Sequence, residues 1–144
     1  MSDGNRPLVV VGVDGSDSSK EAVRWAAHQS VLTGARMRAV SSWRWPNYIT
    51  RIPPGADLAG DVAQTLTETL SDVREHFPDL EISEHVINGP PGPSLLSQSA
   101  GASLLVVGDR GRAAFPGMLL GSVAEYCVRH SSCPVVVVRT TITT

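Results

Sequence analysis

Lysine is almost missing from this chain: Lys20 is the only one in 144 residues. A Walker phosphate loop closes a G-x4-G run with Lys-Ser or Lys-Thr, so a P-loop NTPase is excluded. Cysteine is nearly as scarce. Cys127 and Cys133 lack C-x-x-C spacing and read as small apolar core residues, not as a disulfide or a metal pair. Long apolar runs are absent. Leu8 to Val13, Leu104 to Val107 and Pro134 to Val138 fall far short of the roughly 20 residues a membrane helix needs, so no membrane span is expected. Nor is there a block of like charge. Twelve basic and fourteen acidic side chains give a net charge of −2, without the basic footprint of a nucleic-acid binder. His28, His76, His85 and His130 show no metal-ligand spacing, and no nucleophile elbow occurs. The residues around Arg6 carry no apolar segment of the secretory kind, so a cytoplasmic location is expected.

What the chain does have is strand and helix signals in alternation. Its length suits one domain, residues 1–144, that buries roughly two thirds of its unfolded surface. Leu8 to Val13 is a continuous β-branched run, as in a strand buried on both faces. Ser18-Ser19-Lys20-Glu21 reads as a capping box, and Ala22, Val23, Ala26, Ala27, Ser30 and Val31 follow at helical spacing up to a stop at Gly34. Arg36 to Trp43 is a second strand. Val62, Leu66, Leu70, Val73 and Phe77 mark an amphipathic helix ending before Pro78. Between them Arg44 to Gly60, with three prolines and two glycines, is a long loop, either a lid over a site or a simple insertion. Leu80 to Ile87 is a third strand, Gly89 to Pro93 a turn cluster, Ser94 to Ser99 a short helix and Ser103 to Gly108 a fourth strand. Ser122 to His130 and Val135 to Arg139 supply a last helix and strand. Right-handed crossovers fold this βαβαβαβαβ series into an open parallel sheet with helices on both faces.

The chemistry concentrates after the fourth strand, in Gly108-Asp109-Arg110-Gly111 followed by Gly121-Ser122. Glycines let backbone N–H groups approach a bulky anion, and the helix that starts next points its positive dipole end at the same spot. The spacing G-x2-G-x9-G-S is not the G-x-G-x-x-G of dinucleotide folds, which the first turn, Gly12 to Ser16, also lacks. In a sheet of this class ligands bind beyond the carboxyl ends of the strands, where strand order reverses. If the first and fourth strands are neighbours, Asp14 and Gly108 meet there. Asp14 can hold a ribose hydroxyl or magnesium, or simply close an Asp-Gly-Ser turn. Arg110 and Arg112 can pair with phosphate or lie in solvent. Ser122 also heads a capping box ending at Glu125, and Trp43 or Trp45 can stack on a base or pack on the rim.

These blocks, Val11-Gly12-Val13-Asp14-Gly15-Ser16, the glycine motif running into Gly121-Ser122-Val123, and Cys133-Pro134-Val135-Val136-Val137-Val138, resemble the universal stress protein family from Val9 to Arg139. The resemblance implies a Rossmann-like α/β fold, an open five-stranded parallel sheet of order 3-2-1-4-5, and ATP held by the glycine motif. It puts Gly108, Gly111, Gly121 and Ser122 around the phosphates, Asp14 by the ribose or a bound magnesium, and Val13 and Val40 along the adenine; Arg110 and Val123, beside these residues, complete the set of expected binding residues. It also implies a homodimer joined through Val135 to Arg139, an apolar edge best not left open. Asp109 departs from the pattern, since a carboxylate beside a triphosphate is unfavourable unless it points away or holds a cation. Pro116 stiffens the span that follows. Three functions stay open: an ATP-binding stress regulator for which binding is the function, a slow magnesium-dependent ATPase using Asp14, or a nucleotide-free dimeric scaffold.

Overall fold

The computed structural model describes residues 6–111 and 117–140; Arg112 and Pro116 lie outside the described residues. These form five strands, β1 (Leu8–Gly12), β2 (Arg36–Trp43), β3 (Ile82–Asn88), β4 (Leu104–Gly108) and β5 (Val135–Val138). Helices α1 (Asp17–Thr33), α2 (Leu58–His76), α3 (Pro91–Gln98) and α4 (Ser122–His130) alternate with them. The sheet is parallel throughout, in order β3-β2-β1-β4-β5. Strand order therefore reverses between β1 and β4, whose register pairs Val9 with Leu104 and Val11 with Val106.

The pleat sorts each strand's side chains onto two cores. Val9, Val11, Met37, Ala39 and Val106 pack against Ala22, Val23, Ala26 and Ala27 of α1 and Leu66, Leu70 and Val73 of α2. Leu8, Val10, Val40, Leu105 and Val107 face the other way, onto Leu95 of α3 and Ala124 and Cys127 of α4. Helices thus cover both faces. α1 ends as anticipated, with Gly34 in the left-handed region at φ +71°.

Several boundaries differ from the sequence reading. The N-cap of α1 is Ser16, whose side chain accepts from Ser19 N, so Ser18 lies inside the first turn and the box ending at Glu21 is not the cap. α2 begins at Leu58 under Asp57, whose carboxylate accepts from Gly60 N at 3.0 Å. Gly60 therefore sits in the helix, not in the loop. α3 starts at Pro91, within the proline cluster read as a turn, because proline's missing N–H is not needed at a first helical position.

Cys127 is fully buried, and burial, with Cys133 nearby, pushes its thiol up to about 11 from 9.0. The folded state favours the neutral thiol, so stability conferred by this group is complete below about pH 9 and is lost as pH rises through about 11. Chemical denaturation across this range should show a steeper alkaline loss for the parent than for Cys127→Ala. Leu66→Ala should lower stability by about 2–5 kcal/mol, whereas Leu32→Ala, at a side chain 81% exposed, should change it by less than about 0.5 kcal/mol.

Candidate functional site

β1 leaves the sheet through a tight turn. Val13 still pairs with β2, donating its N–H to Val40 O at 2.9 Å, while Ser41 Oγ donates to Val13 O at 2.6 Å. Gly15 then takes φ +82°, and Asp14 Oδ1 accepts from Ser16 N at 2.9 Å and from Ser16 Oγ at 2.5 Å. Asp14 is thus held in an Asx turn with its carboxylate at the surface.

β4 ends beside it. Asp109 N donates to Val138 O at 2.9 Å, and Asp109 O accepts from Gly121 N at 2.6 Å, so the segment after β4 returns to its own start before α4 begins. The two loops meet: a Cβ on Gly111 would lie 3.1 Å from Asp14 Oδ2, and one on Gly121 would lie 3.1 Å from Gly111 N. Gly108 is small for a different reason. A Cβ there would come within 2.8 Å of the backbone carbonyl of Ser18, so β4 could not end against the first turn of α1. None of Gly108, Gly111 and Gly121 has positive φ. Their need is for close approach, and the left-handed turns fall instead at Gly15 and Gly117.

Between these loops a crevice opens on the α3 and α4 face. Val13, Val40, Leu95 and Val107 form an apolar wall; Asp14, Ser19 and Ser42 line a polar side; Arg110, Gly111 and Val123 lie on the α4 side. The enclosed space is about 80 Å³, less than the roughly 300–1,000 Å³ of small-ligand pockets. A whole nucleotide therefore needs the open side of the crevice or outward movement of Arg110 and Gly111. Arg110 Nε is buried and, among the described residues, without a hydrogen-bond partner.

Of the residues singled out from sequence, Val13, Asp14, Val40, Gly108, Arg110, Gly111 and Val123 line this crevice. Gly121 stands behind Gly111 as the N-cap of α4. Ser122 faces elsewhere, into a hollow with Leu119, Glu125 and Val128, and makes no capping bond. Neither Trp43 nor Trp45 lines the crevice. Gly12, Ser19, Ser42, Pro91, Leu95, Val107 and Ala124 line it and were not singled out; two-residue alternation from Val40 would have found Ser42. Asp109 points away from the crevice, inward, and is 6% exposed.

A magnesium ion fits only one way. Asp14 and Asp61 border a neighbouring hollow, and no group of three His, Cys, Asp or Glu side chains is poised for a metal among the described residues. A cation here would take a carboxylate from Asp14 and its other ligands from phosphate and water, the usual arrangement for magnesium.

Fold and crevice define a doubly wound α/β protein with a crevice at the point of strand reversal, where proteins of this class bind their ligands. The chain belongs to the Universal stress protein family, whose sequence pattern matches residues 7–139. A universal stress protein of Mycobacterium tuberculosis is 34% identical over 134 residues, which cover 91% of this chain and 45% of that protein. One from Mycolicibacterium smegmatis is 33% identical over 136 residues, covering 94% and 46%. The chain thus spans just under half the length of these relatives. Among solved structures, a universal stress protein in complex with cAMP is 30% identical with a TM-score of 0.71, covering 94% of this chain and 98% of that one. Another, from Archaeoglobus fulgidus in complex with dAMP, shares the fold at 23% identity and a TM-score of 0.67, covering 92% and 96%.

The glycines separate by their roles. Gly108→Ala should destabilise the protein by about 1–3 kcal/mol in urea unfolding, since its methyl meets backbone. Gly111→Ala meets only a surface carboxylate and should cost less than about 1 kcal/mol. Equal losses in the two variants would contradict this division.

Proposed function

We propose that the crevice binds an adenine nucleotide, with ATP and magnesium the expected pair, and that binding itself is the protein's function in a stress response. The observation that carries this reading is the crevice at the ends of β1 and β4, where an apolar wall meets Asp14, Gly111 and Arg110, whose buried Nε has no hydrogen-bond partner among the described residues. A base sits against Val13, Val40, Leu95 and Val107, and Ser42 and Asp14 are within reach of ribose hydroxyls. Phosphates meet Arg110, Gly111 and the start of α4, whose dipole favours an anion. The 30% identical universal stress protein crystallised with cAMP supports the adenine nucleotide class.

Turnover is not expected. The residues described as lining the crevice include no lysine or histidine, and Asp14 is engaged with Ser16. Where a nucleotide moves Arg110 and Gly111 outward instead of lying along the open side, occupancy changes the surface around these two residues, which a partner protein can read. β5 is an edge strand of four half-buried valines, suited to pairing with the same strand of a second copy in a cytoplasmic homodimer.

Calorimetric titration of nucleotide-stripped protein with ATP and magnesium should give saturable binding at one per subunit. Gly121→Val, whose side chain displaces Gly111 N, should remove it while circular dichroism stays unchanged. Heat no greater than dilution for ATP, AMP and cAMP alike would overturn the reading and favour the nucleotide-free scaffold. Multiple turnovers of ATP abolished in Asp14→Ala would favour the ATPase.

A further inference from the structure

Asp109 follows the end of β4, is buried and does not line the crevice, and its carboxylate collects hydrogen bonds from two distant parts of the chain. Oδ1 accepts from Ser18 Oγ at 3.0 Å, from Thr140 Oγ1 at 3.0 Å and from Thr140 N at 3.3 Å. Ser18 has one hydroxyl proton and gives it to Asp109, so its oxygen is free to accept, and it accepts from Arg110 N at 3.2 Å. The donors thus run in one sense, from Arg110 through Ser18 into Asp109, with Thr140 entering from the other side. Backbone bonds reinforce the junction: Asp109 N to Val138 O, and Gly121 N to Asp109 O. Gly108 permits it, because any Cβ there would push Ser18 away. No cation pairs with Asp109 among the described residues, so its buried charge rests on these hydrogen bonds.

We propose that Asp109 is a positioning residue which ties the end of β5 to Arg110 through Ser18, so that the edge strand and the anion side of the crevice are held as one unit. An alanine here leaves the Ser18 and Thr140 hydroxyls without their acceptor, whereas asparagine keeps one oxygen for them while losing the charge and exchanging the second oxygen for an NH2. The effect on ligand affinity rests on the nucleotide reading above; the mechanical coupling does not.

Two measurements separate them. In ligand-free protein, amide hydrogen exchange followed by NMR should speed up at both Arg110 and Thr140 in Asp109→Ala, by about tenfold or more, and less in Asp109→Asn. Thr140→Val, a mild change 30 residues away at the end of β5, should speed exchange at Arg110. Affinity for ATP should fall about tenfold in Asp109→Ala, with partial recovery in Asp109→Asn, while affinity for adenosine, which has no phosphate, stays constant. Unchanged Arg110 exchange in Thr140→Val overturns the coupling, and that variant decides the matter if Asp109→Ala fails to fold. Loss of ATP and adenosine affinity in equal proportion overturns the positioning role. If the parent binds no ATP, the nucleotide reading fails and the exchange data alone decide the coupling.

Discussion

Two parallel strands that end side by side, with chains departing to opposite faces of the sheet, impose the constraint on which the rest of this structure depends. β1 hands the chain to α1 on one face and β4 hands it to α4 on the other. Neither helix can cover the gap this leaves beyond the strand ends. The backbone there must be satisfied without a further strand, and it is: Val13 N reaches Val40 O, Ser41 Oγ reaches Val13 O, and Asp109 N reaches Val138 O. The crevice is what remains between these closures, and its lining is fixed by which residues the pleat turns toward α3 and α4.

Small residues at that place serve three separate physical needs. Gly15 supplies a left-handed turn that brings Asp14 round to Ser16. Gly108 yields room for the backbone of α1, which is a packing requirement of the fold. Gly111 and Gly121 lie against each other and against Asp14, where a side chain would fill the meeting point of the two loops. Only this last pair argues for a ligand. A motif read as one phosphate cradle is therefore in part a packing requirement of the fold, at Gly108, and in part the meeting point of the two loops at the crevice, at Gly111 and Gly121.

Local signals made much of this legible. β2 and α4 lie where the sequence reading put them, because the strand falls between glycine and loop signals and the helix starts directly behind a glycine. The sheet order followed from the family resemblance and not from any strand by itself. The misreadings share a cause. Asp57, Ser16 and Pro91 begin helices by side-chain or φ preferences that also suit turns, and only tertiary packing chooses between them. Ser122 looked like a cap, yet Gly121 takes that position, which turns the hydroxyl outward. The inward turn of Asp109 was not readable, since its partners Ser18 and Thr140 are 91 and 31 residues away.

The central claim is that one adenine nucleotide occupies the crevice between β1 and β4, and amide chemical-shift mapping tests it most directly. Adding ATP with magnesium to isotopically labelled protein should move the signals of Gly12 to Asp14, Val40, Ser42, Gly108 and Arg110 to Gly111 together, while signals around Arg6, Gly34 and His76 at the opposite end of the sheet stay in place. Shifts centred on that opposite end, or none at saturating nucleotide, would contradict it.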